Sequence, residues 1–241
     1  MGWWIGHVIE VFAIGLIGAP VTLDLLRTSP SYPLSGDLRA AELVRSAENF
    51  LDAQVRGLLA RLAEKDAYTA THTRNVALLA VQVGEELGLP PQRLRTIAIG
   101  GLVHDVGKLS VPDAILKKPA KLDDDEYREI QRHPVNGHEL LGRLGGFSAE
   151  VRRLVLHHHE RLDGGGYPHG LGARELDLDT RILTVCDVFD ALTANRVYRD
   201  AWPVWRAVEL LRSDQGAAFD PNCVAALERV IARADELPVA A

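Results

Sequence analysis

Apolar stretches at helical spacing stop, one after another, on a histidine or an aspartate. The run Ile97–Val103 ends at His104-Asp105, and the helical pattern from Tyr68 carries His72 in its first turns. A pattern opening at Asp123 carries His133 near its end, Ala149–His158 delivers the triplet His157-His158-His159, and Arg181–Ala194 holds Asp187 and Asp190. A helix buries its apolar face on a core, so imidazoles and carboxylates gathered at helix ends serve no packing purpose. No alternating run is long enough for a real sheet, and the period is helical throughout. The expected fold is therefore all-α, a helical bundle whose helix ends converge. Only 6% of the chain is aromatic, and Leu, Ala, Val and Arg are frequent, which favours helices over a β-sandwich.

In chain order, Trp3–Leu26 is mostly apolar but interrupted by His7, Glu10 and Asp24, with Pro20 set to kink any helix. Its unbroken part, Val11–Val21, is shorter than the ~20 residues that span a bilayer. It lacks the basic start and cleavage site of a secretory signal. Residues 1–27 then read either as a helix docking on the body or a partner, or as the tail of a membrane-embedded sensor, with Trp3 and Trp4 as interface anchors. Thr28–Gly36, rich in Pro and Ser, is a linker, and Asp37 is a fair N-cap for one long helix to about Glu64. Val44, Leu51, Val55, Leu58 and Leu62 follow a 4-and-3 spacing, interrupted once at Glu48. That is either a coiled-coil seam holding a homodimer or one amphipathic helix lying on its own domain; so few heptads favour the second. Residues 65–238 form the body. In it, Asp123 and Glu126 have the form of a capping box, Asp163–Pro168 is a glycine-rich loop, and two amphipathic helices, Pro203–Arg212 and Pro221–Glu236, close the fold.

Imidazole and carboxylate together are ligands for iron, manganese, zinc or nickel, and two aspartates allow a dinuclear centre. His72, His104, His133, His158 and His159 with Asp105 and Asp187 are the candidates; His7, His138 and His169 stand alone. No thiolate joins them, which disfavours a structural zinc site. Cys186 and Cys223 sit in apolar segments and read as core thiols of a reducing compartment. The formal charge of -6 argues against a nucleic-acid polymer as partner, since a polyphosphate face tilts a domain basic. A small anion bound by a few arginines remains open.

The ordered set of motifs resembles the HD-GYP family, a branch of the HD phosphohydrolases. Lys65–His72 is similar to the family's opening motif and His104-Asp105-Val106-Gly107-Lys108 to its HD-x-G-K signature. Lys118–Leu122, His133-Pro134, His158–Pro168, Asp187–Thr193, Arg196–Arg199 and Phe219-Asp220-Pro221 follow in the family's order. The resemblance implies a cytoplasmic phosphodiesterase that hydrolyses cyclic di-GMP to pGpG and GMP with two divalent metal ions, iron or manganese. It implies that His72, His104, Asp105 and Asp187 hold one ion and His133, His158 and His159 the other, with Asp105 as bridge. Lys108 would neutralise a phosphate oxygen in the transition state, and Tyr167, Arg196 and Arg199 would contact the dinucleotide. Asp190 and Tyr198 read as supporting or packing residues. The sequence departs from the family's pattern at three places. Tyr68 stands where some members carry a glutamate for a third metal, so two ions are expected; Leu162 replaces a usual tryptophan and Val197 a usual proline.

Overall fold

The computed structural model describes residues 38–118, 120–195 and 200–236. The chain divides into two compact units, Met1–Arg39 and Ala40–Ala241, and the second holds the helical body. Among the described residues the secondary structure is helical, with two isolated β-bridges, Asp163 to Gly172 and Gln215 to Phe219, and no strand. The expectations for residues 1–27, for the linker 28–36 and its cap Asp37, for Arg196, Val197, Tyr198 and Arg199, and for the end of the body at 237–238 lie outside the described residues, as does the side chain of Tyr68.

The helices are α1 (Leu38–Phe50), α2 (Ala53–Lys65), α3 (Ala67–Glu86) and α4 (Pro91–Val103), then a 3₁₀ turn, Val106–Ser110. They continue as α5 (Asp113–Leu116), α6 (Asp124–Ile130), α7 (His133–Leu144), α8 (Ala149–His157), α9 (Leu178–Thr193), α10 (Val204–Ser213) and α11 (Pro221–Glu236). Local sequence explains most of the starts. Pro91 opens α4 where a missing N–H costs nothing. Ser148 caps α8 by accepting from Val151 N at 3.3 Å, and Asp177 caps α9 by accepting from Thr180 N at 2.8 Å. The Asp123–Glu126 capping box is present in full.

Two boundaries differ from the sequence reading. The single long helix expected from Asp37 to Glu64 is two helices, because Asp52 Oδ1 takes the Val55 N–H at 2.8 Å and starts a new one. Val44, Leu51, Val55 and Leu62 are all buried within this chain, with Leu58 half-buried. The 4-and-3 series thus packs against the chain's own core. His133 does not sit near the end of the helix begun at Asp123: α6 stops at Ile130 and His133 is the first residue of α7. Pro134 is the cause, since it lacks an N–H and fits only a first turn.

Two apolar clusters make the core, and α3 and α4 take part in both. Val76, Ala80, Val83 and Ile97 pack with α9, α10 and α11 through residues such as Ile182, Leu211 and Leu227. On the other side Ala77, Val81, Ala98 and Val103 pack with Val44, Val55, Leu141 and Val155. The α3–α4 pair is therefore buried on two faces and rigid, and His72 and His104 ride on it.

Candidate metal centre

Five helices deliver the histidines and aspartates to one place. His72 comes from α3, His104 from the end of α4, His133 from the start of α7, His158 and His159 from just beyond α8, and Asp187 from α9. His72, His104, Asp105, His133, His158 and Asp187 are buried, and His159 is half-buried. Asp105 itself follows α4 with φ −92° and ψ 2°, a turn conformation that breaks the helix and leaves the carboxylate facing inward.

One local device orients three of the imidazoles. His104 Nδ1 meets Gly101 O, His133 Nδ1 meets Ile130 O and His158 Nδ1 meets Val155 O, each at 2.8 Å and three residues back. A carbonyl only accepts, so each Nδ1 carries the proton and each Nε2 presents a lone pair. His72 is turned in the same sense by Asp190, whose Oδ2 lies 2.7 Å from His72 Nδ1. Asp190 thus orients a ligand candidate, a role stronger than packing.

The lone pairs converge. His133 Nε2 and His158 Nε2 are 3.1 Å apart with no proton between them, and His104 Nε2 is buried without a hydrogen-bond partner. Two nitrogens that ligate one ion at about 2.1 Å stand roughly 3–3.5 Å apart, so this spacing fits a shared cation. His72 Nε2 lies 2.9 Å from Asp187 Oδ1, and His104 Nε2 3.8 Å from the same oxygen. Asp105 divides its two oxygens: Oδ1 faces His133 Nε2 at 3.3 Å, while Oδ2 faces His104 Nε2 at 3.5 Å and His72 Nε2 at 4.0 Å. Two triads, His72–His104–Asp187 and His133–His158–His159, and a third across them, His104–Asp105–His158, each have donor atoms within 4.8 Å of one another. These residues fit divalent cations. Uncompensated lone pairs in a dry site are costly, and a cation removes that cost.

Burial and charge set the protonation. Burial pushes His133 and His159 down to about 3 and His158 well below its usual value, so all three are neutral and ready to ligate. Burial also works against charge on Asp105, but Lys108 and the neighbouring imidazoles outweigh it and hold the carboxyl well below its usual range. Lys108 Nζ donates to Asp105 Oδ2 at 2.6 Å. His72 is the exception: burial would lower it, yet its bonds to Asp187 and Asp190 raise it to about 9. In the metal-free protein a proton on His72 stands where a cation's charge would be.

The glycine-rich loop is tied to the same centre. Tyr167 N donates to His159 O at 3.2 Å, and its ring lies 4.8 Å from the His159 ring. Gly166 has no room for a side chain, since a Cβ there would lie 2.4 Å from Glu160 Cα. Glu160, which sequence reasoning left without a role, is buried and accepts His169 N at 2.7 Å and Leu171 N at 2.9 Å. It straps the loop to the end of α8. The only sign of this in sequence was an acidic residue directly after two ligand candidates. Thr184 was also missed: its hydroxyl donates to His158 O at 2.9 Å, fixing the carbonyl between the two histidines.

The family model of the HD domain matches residues 57–223. Over 194 residues the chain is 39% identical to the cyclic di-GMP phosphodiesterase response regulator RpfG of Xanthomonas campestris, covering 78% of this chain and 51% of that protein. Over 167 residues it is 40% identical to the 3'3'-cGAMP-specific phosphodiesterase 3 of Vibrio cholerae, covering 69% of this chain and 36% of the relative. The chain thus spans about half of the first relative's length and about a third of the second's. Among solved structures, Bd1817 of Bdellovibrio bacteriovorus, an HDG"Y"P protein, matches with a TM-score of 0.60 at 19% identity, over 80% of this chain and 62% of that one. At that identity the likeness is one of fold. With the family model over most of the chain and relatives about 40% identical across two thirds or more of it, the chain belongs to the HD domain family.

Proposed function

We propose that this chain is a phosphodiesterase that hydrolyses cyclic di-GMP to pGpG, and onward to GMP, at a centre of two divalent ions, iron or manganese. The observation that carries the reading is the division of Asp105, one oxygen toward each histidine group. On it, His72, His104, Asp105 and Asp187 would hold the first ion and His133, His158 and His159 the second, with one Asp105 oxygen turned toward each group. When bound, such a pair supplies an acidified water and positive charge for attack on phosphorus. The chain's own residues do the rest. Asp190, Gly101, Ile130 and Val155 keep the imidazole lone pairs aimed inward. Lys108, partly exposed at the edge of the centre, offsets charge on a non-bridging phosphate oxygen as the P–O bond to the 3′ oxygen breaks. Tyr167 packs on His159 and offers its ring to the dinucleotide, with Arg196 and Arg199 as phosphate contacts.

The same reading makes residues 65–238 the phosphodiesterase domain, 28–64 its linker and leading helices, and 1–27 a hydrophobic segment that touches a membrane or partner from the cytoplasmic side. Among the described residues no helix is long and apolar enough to cross a membrane. A second reading, hydrolysis of another cyclic dinucleotide, is favoured by the name of the Vibrio cholerae relative. The test is protein loaded anaerobically with Fe²⁺ or Mn²⁺ and given cyclic di-GMP or 3'3'-cGAMP, with pGpG and GMP followed by chromatography. Turnover of cyclic di-GMP is expected. Binding without turnover under either metal would leave a receptor, and an Asp105→Ala variant that still hydrolysed would remove the site assignment.

A further inference from the structure

Lys65 is the last residue of α2, yet its side chain serves another part of the chain. Its Nζ donates to Leu109 O at 3.0 Å and to Val111 O, contacts 44 and 46 residues away in sequence. It also pairs with Asp113 Oδ1 at 3.2 Å, although the Asp113 side chain is 59% exposed and that pair contributes little. The Lys65 side chain is 16% exposed, so the carbonyl contacts are largely shielded from water. Both carbonyls belong to the exit of the 3₁₀ turn Val106–Ser110, where backbone oxygens lack partners within the helix and a cation is favoured.

The same turn carries Lys108 and begins at Asp105. Lys108 N donates to Asp105 O at 2.9 Å, and Val111 N donates to Lys108 O at 3.1 Å. The turn is pinned on its other side, with Ser110 Oγ donating to Gly107 O at 2.7 Å and Asn136 Nδ2 to Ser110 Oγ at 2.7 Å. A continuous path of hydrogen bonds therefore runs from the C-terminus of α2 through the turn to the Lys108–Asp105 pair, which is closed at 2.6 Å. We infer that Lys65 is a positioning residue: by holding the exit of the turn it fixes Lys108 on Asp105, and so makes the geometry of the metal centre depend on where the end of α2 lies. This gives the helix that leads into the domain a physical handle on the centre, without touching it. The phosphodiesterase reading enters only through the turnover measurement.

The test compares the full chain with Lys65→Met, Lys65→Arg, Lys108→Met and the Lys65→Met/Lys108→Met double variant. Three measurements are made: steady-state kinetics giving kcat and KM on cyclic di-GMP, Mn²⁺ affinity by calorimetry, and amide exchange along the chain. Lys65→Met is expected to lose about tenfold in kcat and in Mn²⁺ affinity, with KM little changed, the scale seen when residues that orient metal ligands are removed. Exchange should rise at residues 106–111, and Lys65→Arg, which keeps the cation, should restore most of the loss. The double variant should be no worse than Lys108→Met alone, because both act through one pair. If Lys65→Met fails to fold, Lys65→Gln, which keeps one donor, is read by the same three measurements. A variant that melts earlier but keeps kcat and Mn²⁺ affinity within about twofold of the parent, or a double variant whose losses multiply, would reduce Lys65 to a stabilising cap. If the parent itself does not turn over cyclic di-GMP, the proposed reaction falls, while the Mn²⁺ and exchange measurements still decide Lys65.

Discussion

At the residue scale, four of the five candidate imidazoles, His72, His104, His133 and His158, are aimed by a second group, and that group is testable by itself. Asp190 sets the His72 tautomer through a 2.7 Å contact without joining the converging donors. Asp190→Asn is expected to keep the fold and lower Mn²⁺ affinity by about 10–100-fold, read by calorimetry. Gly107 shows a different dependence. A Cβ there would lie 1.9 Å from His133 O and 2.5 Å from Gly137 N, so the glycine is what lets the His104-Asp105 turn approach the start of α7. Gly107→Ala should destabilise by about 1–3 kcal/mol in urea unfolding and separate the two histidine groups, with loss of turnover. The glycine of the signature is there for a steric reason.

At the scale of elements, α1 and α2 belong to the packed body. Ala40, Val44, Ala47, Leu51 and Val55 are buried with residues of α3, α4, α7 and α8. Val44→Asp places an unpaired charge in that cluster and should cost about 3 kcal/mol or more in chemical unfolding. Arg45→Asp, one residue on and exposed, should change stability by under about 0.5 kcal/mol. Equal effects would mean that α1 is not docked in solution. The loop between α8 and α9 is held comparably: Glu160 ties two of its N–H groups, and Arg181 reaches Leu176 O at 3.0 Å and Asp220 Oδ2 at 2.8 Å. Tyr167 is thereby presented by a strapped loop, not a loose one.

At the scale of the whole molecule, stability and metal binding are coupled through the histidines. His133 and His159 sit near 3 when folded against an ordinary 6.5, so the unfolded chain binds more protons between those values. Stability of the metal-free protein is therefore expected to fall as pH drops below 6.5. His72 works in the opposite direction: its pKa is raised to about 9, so its contribution is full below 6.5 and is lost as pH rises through 9. Thermal melts in a chelator from pH 4.5 to 9 should show a maximum near neutrality, and Mn²⁺ binding at pH 7.5 should release close to one proton, seen as a buffer-dependent heat. The helical class and most helix starts were legible in the chain, because capping and helical periodicity are local in sequence, and the converging residues were legible as imidazoles and carboxylates at successive helix ends in a recognisable order of motifs. The break at Asp52 and the start of α7 at Pro134 carried local signals too, but ones that compete with a continuing helical pattern. The strap at Glu160, the Asp190 contact and the Lys65 link were not legible. Each joins groups between 9 and 118 residues apart, and no spacing rule reaches that far. Sequence by itself determined which groups would have to be neutralised; only the tertiary structure decided which oxygen or nitrogen faces which, because that depends on how rigid helices cross.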